Sequence, residues 1–439
     1  MNDRRSPLPP PSPRSRYAAG KRLRERLPRD VHAAWSVKKG DERNRLAPLS
    51  AVERGRLVEL LPEKHKRMRQ SAFAFFRGSA VVMAADLAVQ RRTGLIVQMC
   101  GDAHVRNLGA YEALDGALVF DLNDFDETLR GPWEWDVKRL ATSLILAGEE
   151  SGQSASTCER SVRRFVRAYR SYLLAFATMR FATLGRYLIA RRRDDPLLEE
   201  IFREAQRVTP NRNLQKLTIH RGAHFRFREQ KPLAPVSSRT AAEVVTALRA
   251  YAATLVASRA RTLARYHPID VAFKTVGTGS VGTRDYVVLL FGNGDEDPLF
   301  LQVKQELPSC YAPYIKAAGS IRHEGQRVAE GQQLMQTLSD PFIGYTRFGG
   351  HDYLVRQLAD HKAGIDPAAL TRPTLSAYAR LCGEALAKGH ARTGDAATLA
   401  GYVGKSSAFD EAIAEFATTY AEQVRSDYRL FKRSEFSKG

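Results

Sequence analysis

The stretch DVAFKTVGTGSVGTRDYVVLLFGNGDEDPLFLQVKQE (270–306) decides how this chain is read. It opens on a strand-like run, DVAFKTV, and passes through the glycines Gly277, Gly279 and Gly282 in GxGxxG spacing. A dinucleotide-binding fold would need a helix directly after those glycines, its N-terminus receiving the pyrophosphate. Instead Tyr286-Val287-Val288-Leu289-Leu290 follows, a strand pattern rich in β-branched residues. A turn at GNGDEDP then leads into Leu299-Phe300-Leu301-Gln302-Val303, with Lys304 at its end. The order is strand, glycine loop, strand, turn, strand, lysine. That excludes the dinucleotide fold.

This order resembles the phosphate-covering hairpin of a protein-kinase-like small lobe. There the glycines, here with Ser280 among them, let backbone N–H groups close over phosphates. A lysine on the third strand, here Lys304, reaches the α and β phosphates. Such a lysine needs a carboxylate from the next helix, expected over about 322–338. Glu330 sits among Val328, Leu334 and Met335 and is favoured over Glu324, although Glu324 has the spacing nearer to kinases.

Working outward, GLIVQMC (94–100) reads as a strand and runs straight into GDAHVRN, which supplies Asp102 and Asn107. A hairpin around 114–116 and a second strand, ALVF (117–120), precede an acidic loop, DLNDFDET (121–128). Asp102 is suited to accept a proton from an acceptor hydroxyl, and Asn107 to ligate a metal through its carbonyl oxygen. Asp121, Asn123, Asp124, Asp126 and Glu127 would repel one another at one strand end unless a cation neutralised them. The expected ligands are therefore ATP and Mg²⁺. GDAHVRN resembles the catalytic loop of the aminoglycoside phosphotransferase and choline kinase group, with Cys100 in place of a leading histidine. In that group the metal-binding aspartate precedes a second aspartate by about twelve residues, which selects Asp124 through Asp136 in GPWEWDVKRLATSL. Asp121 competes, because its distance along the chain from Asp102 is nearer the usual loop-to-metal separation.

The stretch from about 60 to 405 is also similar to the bacterial family called domain of unknown function 2252. The segments that carry this are SAFAFFRG, CGDAHVRNLG, FDLNDFDETLRGPWEWDVKRLA, GQRVAEGQQLMQTLSDPFIGY, YLVRQLADHK and LAKGHARTGD. The family's name implies no reaction. In kinases the glycine loop comes before the catalytic loop, whereas here Asp102 precedes Gly277, so the resemblance implies a circular permutation. The expected fold class is α+β: a two-lobed, kinase-like, permuted fold. Its expected parts are a basic Pro-rich, partly disordered arm (1–46), a helical catalytic lobe (47–265), a small β-rich nucleotide-binding lobe (266–360) and C-terminal helices packing on the helical lobe (361–439). A polar, irregular segment is expected near 209–238, and DYLVRQLADHK is expected to connect the lobes.

The 439 residues are 44% hydrophobic and 26% charged, enough to bury a sizeable core. No run approaches the roughly 18 apolar residues of a membrane span. Four isolated cysteines without a CxxC pair and no apolar secretory segment favour a reducing cytoplasm. Net charge is +20, and residues 1–70 hold 19 basic against 8 acidic residues. The leading arm is thus a candidate for weak polyanion contact, dispensable for the core reaction. Arg77, His104 and Asp126 are auxiliary candidates; His390, Arg392 and Asp395 read as structural or substrate-side. Two other classes compete with a phosphotransferase: a metal-dependent phosphoesterase, and a catalytically silent nucleotide or nucleic-acid binder. The acceptor is an unidentified small hydroxyl compound or protein.

Overall fold

Apolar residues at three- and four-residue spacing organise the helical body. In the helix Ala155–Phe176 they are Val162, Phe165, Val166, Tyr169 and Leu173, all buried. This face packs on the helix Arg372–Thr393. The two backbones come close because Gly383 has no side chain: a Cβ there would stand 2.4 Å from the Phe165 carbonyl oxygen. The computed structural model describes every residue except 1–10, 36–43, 114–115, 193, 208, 222–223, 276, 278, 317–319, 359–362, 367–369, 435 and 437–439. The tip of the hairpin expected near 114–116 and the end of DYLVRQLADHK thus lie outside the described residues.

In chain order the body is built from α1 (Pro13–Arg26), α2 (Ala47–Glu53), α3 (Leu61–Met68), α4 (Ala72–Gly78) and α5 (Ala80–Ala88). Four short strands follow: β1 (Ile96–Met99), β2 (Leu108–Glu112), β3 (Leu118–Leu122) and β4 (Leu129–Pro132). Then comes α6 (Trp133–Glu150), buried on every side from Trp133 to Gly148 and therefore the centre of the body. β1 pairs with β4, and β2 with β3, both antiparallel. Each pair ends at a loop that carries site residues.

The leading arm is not a solvated tail, which corrects the expectation for 1–46 over residues 12–35. Ser12 caps α1 by accepting from the Ser15 N–H, and Pro13 opens the helix. α1 packs on the helix Ala396–Val403, where Gly20 and Gly401 allow backbone contact. The arm's charge has a local use. Arg24 and Arg29 donate to the carbonyls of Tyr402 (2.8 Å) and Val403 (2.9 Å), the unpaired C-terminal end of that helix. Arg16 pairs with Asp395 at 2.7 Å, and buried His32 bonds the Tyr402 hydroxyl at 2.7 Å. Deleting residues 1–35 should lower the melting temperature by several degrees, read by thermal circular dichroism. A truncated chain that melts with the full one would restore the solvated-arm reading.

The sheet-rich part is larger than 266–360. Six antiparallel strands lie in the order Gly344–Phe348, His351–Gln357, Pro298–Gln305, Asp285–Phe291, His267–Lys274, Leu233–Pro235. The helix Ser238–Ala252 packs on one face, placing Val244, Leu248 and Tyr251 against Val288, Leu301, Val303 and Val355. The segment 209–238 is not irregular: it holds the helix Pro210–Leu217, the hairpin Thr218–Arg221/His224–Phe227 and the sixth strand. Cover on both faces explains why YVVLLF reads as a continuous apolar run, not an alternation. On the second face, Lys304 stands opposite Asp285 on one neighbour and Leu354 on the other. The helix Glu324–Met335 links the lysine's strand to the last two.

Candidate active site

The loop after β1 is built around buried acceptors. Gly101 has φ +86°, and a Cβ there would lie 2.2 Å from the Glu127 carbonyl oxygen, so the turn needs glycine. Asp136, from the first turn of α6, accepts from the N–H groups of Cys100 (2.8 Å) and Gly101 (3.0 Å). Behind it stand His390, at 3.3 Å, and Tyr169, whose hydroxyl lies 2.8 Å from His390 Nδ1. Asp136 and His390 therefore brace the loop from within the core. Asp102 is held by Arg139 of α6, with Nε 2.6 Å from Oδ1. Arg139 is fully buried, lies 4.2 Å over the Phe76 ring and donates to the Phe76 carbonyl at 3.1 Å. Burial pushes the Asp102 carboxyl up to about 6 even against that arginine. His104 Nε2 stands 3.6 Å from Asp102, and burial holds its imidazole neutral well below the usual range. The Asn107 amide nitrogen donates to the Asp102 carbonyl at 2.8 Å, which fixes the side chain's orientation.

The acidic loop splits by position. Asp121 belongs to β3, is 2% exposed and is ion-paired with buried Lys388. It lies off the cavity that holds Asp102, which corrects its candidacy as a metal ligand. Asp124 and Asp126 line that cavity. Asp126 Oδ2 is ion-paired with Lys304 and accepts from Ser280 Oγ at 2.9 Å. Its Oδ1 is buried without a hydrogen-bond partner. The carboxylate that holds Lys304 thus comes from the acidic loop and not from the following helix. Glu330 is exposed and takes a bond from Gln326 at 2.7 Å, while Glu324 is paired with Arg327. Arg327 in turn donates to the carbonyls of Asp126 (2.9 Å), Thr128 (2.7 Å) and Leu307 (2.9 Å). The helix expected to supply a carboxylate supplies a guanidinium that pins the acidic loop instead.

A cavity of about 690 Å³ joins these groups. Asp102, His104, Asn107, Asp124 and Asp126 face it from the helical side. Gly277, Gly279, Ser280 and Lys304 face it from the sheet side. Gly282 lies outside this lining. Its φ of +95° and its carbonyl, bonded by the Leu57 N–H at 2.7 Å, make it a turn glycine seated against Arg56. Arg77 lines the cavity, lies 5.9 Å over the Phe73 ring, and burial pulls its guanidinium down to about 10.

Several lining residues escape the sequence reading. Glu306 is two positions past Lys304, and strand alternation alone would have put it on the same face. Burial and Asp126 push its carboxyl well above the usual range, and its Oε1 has no partner. Lys274, Gln302 and Arg356 complete the sheet wall, with Arg356 Nε donating to Gln302 Oε1 at 3.0 Å. Arg56 lies outside every quoted segment, and Arg139, which holds Asp102 from behind, lies in GPWEWDVKRLATSL with no spacing signal that marks it.

The donor set is all oxygen, which suits a hard cation such as Mg²⁺. Among the described residues, no group of three or more His, Cys, Asp or Glu side chains stands close enough to hold a metal by itself. Mg²⁺ is commonly held by one or two carboxylates with substrate phosphates and water, so Asp124, Asp126 and Asn107 fit it only with a phosphate ligand present.

A family profile of uncharacterized proteins conserved in bacteria, domain of unknown function 2252, matches residues 56–434. The chain belongs to this family. The match contains the cavity lining from Arg56 onward, including Asp102, Asp124, Asp126 and Lys304, but not Pro48, Ala51, Val52 and Gly55. No curated protein and no solved structure matches the chain significantly. No helix among the described residues of this family member is long and apolar enough to cross a membrane.

Proposed function

We propose that this chain is an ATP- and Mg²⁺-dependent phosphotransferase acting on a hydroxyl acceptor, with a kinase-like fold in permuted order. The observation that carries the reading is that Asp102, Lys304 and the glycine loop line one cavity, although catalytic loop and lysine are far apart in sequence. Lys304 would hold the α and β phosphates, and the N–H groups around Gly277 and Gly279 would cover them. Asp102, part-buried and poised at about 6, would orient the acceptor hydroxyl and take its proton. Asp124, Asp126 and the Asn107 carbonyl would hold Mg²⁺, which when bound neutralises charge on the phosphate oxygens. The sequence from β-hairpin through Lys304 to a helix and two closing strands supports the small-lobe assignment.

Isothermal titration of ATP with and without Mg²⁺ tests this. Asp124→Asn should weaken Mg²⁺-dependent ATP binding and spare metal-free binding, because a neutral amide ligates a hard cation poorly. Asp121→Asn should spare both and instead destabilise the fold by roughly 3–5 kcal/mol, since Lys388 would be left buried and unpaired. Absence of ATP binding to the unaltered chain would remove the proposal.

Lys274 and Arg356, beside Lys304 on the sheet wall, favour a second reading. Three cations there could receive the triphosphate turned end for end, so that the α phosphorus faces Asp102 and a nucleotidyl group is transferred. Radiolabel in the product from ATP labelled at the γ phosphorus supports the first reading. Radiolabel from ATP labelled at the α phosphorus supports the second.

A further inference from the structure

Where Leu307 packs against Gly55, the cavity has a part that the nucleotide reading leaves without a role. Its walls are apolar: Pro48 and Val52 of α2, and Leu307, Pro308, Pro313 and Tyr314 from the loop after the lysine's strand. Two cations, Arg56 and Lys64, are set into them.

Arg56 Nη1 donates to the Val281 carbonyl at 2.7 Å, its Nε is buried without a partner, and no carboxylate of the described residues lies within ion-pair distance. One neutral carbonyl is a small return for a part-buried guanidinium with five N–H donors. Lys64 is 1% exposed, with its Nζ 3.1 Å from Glu53 Oε1. Glu53 is shared, because His65 Nε2 stands 2.9 Å from the same oxygen, and it does not line the cavity. Of the other carboxylates whose charge reaches Arg56, Glu127 accepts from the Cys310 N–H at 2.6 Å and Asp126 is ion-paired with Lys304. Burial, with Arg56 nearby, pulls the Lys64 ammonium down to about 8 against the opposing pull of Glu53 and Glu127.

We propose that this compartment binds the acceptor, and that Arg56 and Lys64 take an anionic group, phosphate or carboxylate, carried by the same small molecule whose hydroxyl faces Asp102. The assignment of the hydroxyl rests on the phosphotransferase reading; the anion site does not. The arrangement selects a compact anionic hydroxyl compound. The apolar walls accept its carbon body and the arginine's planar fork takes its charged end.

The test is titration of the full chain with inorganic phosphate, then with glycerol 3-phosphate, glycerate and glycerol as matched dianion, monoanion and neutral alcohol. Phosphate and glycerol 3-phosphate should bind, and glycerol should not. Binding of glycerate as tightly as glycerol 3-phosphate would make the group a carboxylate, and much weaker binding a phosphate. Arg56→Gln should weaken binding of the anions roughly 10- to 100-fold, the scale for one charge-assisted contact, while ATP binding stays within a few-fold. Because Arg56 also holds the glycine loop, Ala51→Glu serves as a second variant. It adds a carboxylate to the wall from an exposed position and should produce the same selective loss. Anion binding that survives both variants, or that is lost only in Lys304→Met, overturns the proposal by placing the anion elsewhere or in the nucleotide site. Failure of ATP to bind while phosphate binding still depends on Arg56 would instead remove the phosphotransferase reading and leave the anion site standing.

Discussion

Lys304→Met should cut turnover roughly 10²-fold or more, the scale for losing one preorganised charge-stabilising donor. Lys304 is 3% exposed and reaches across the cavity to Asp126, and the charge of Asp126 holds its ammonium above the ordinary lysine range. It is therefore protonated at any working pH, and its charge is fixed where phosphates would lie. Phosphoryl transfer depends on positioning and neutralisation, so a methionine of similar length removes the charge while keeping the packing. The substitution also strips Asp126 of its main partner, leaving Ser280 and the more distant Arg356. A loss of stability is expected too, so turnover has to be compared below the melting transition of both forms. A variant that folds and retains turnover within about threefold would show that Lys304 is a structural partner of Asp126 and not a phosphate ligand.

Asp102→Asn should abolish transfer, by roughly 10²–10⁴-fold for a lost general base, and leave ATP binding within a few-fold. Asparagine keeps an oxygen for Arg139, so the buried guanidinium is not orphaned and the loop should hold its shape. On the proposed function the unaltered chain should show a matching pH profile. Burial raises the Asp102 carboxyl to about 6, so below that pH it is protonated and cannot accept a proton; above it the carboxylate is present. The rate should therefore rise with pH through about 6 and level off, and the residual rate of Asp102→Asn should lack that limb. If ATP binding collapses while the pH profile persists, Asp102 sits on the nucleotide side and another group is the base.

Local pattern makes several parts legible in the amino-acid sequence. The strand–glycine–strand–lysine order of 270–306, the loop GDAHVRN after a strand and the three–four spacing of Ala155–Phe176 each depend on neighbours a few residues apart. Such patterns record which side of an element faces apolar surroundings, so they survive without knowledge of the partner element. The aspartates show where that ends. By sequence, Asp121, Asp124 and Asp126 belong to one acidic run, in which the spacing to Asp136 favours Asp124, Asp121 competes and Asp126 is auxiliary. In space Asp121 is taken by Lys388, Asp126 by Lys304, and Asp124 faces the cavity. Glu330 sits in an apolar context on its helix yet is exposed, because that helix turns Arg327 rather than Glu330 toward the acidic loop.

The leading arm follows the same logic. Composition alone makes it a solvated, basic tail, and its charge is real. Whether those arginines meet water or the open carbonyls at the end of Ala396–Val403 depends on a contact between opposite ends of the chain. The amino-acid sequence by itself determined many local elements, though not those of 209–238 or of the leading arm, together with the candidate chemistry of the two loops and the strand order that joins glycine loop and lysine. Only the tertiary structure decided which carboxylate meets which cation. Ion pairs between buried side chains are chosen by the packing of distant elements, since a buried charge must find its counter-charge wherever the fold brings one within reach.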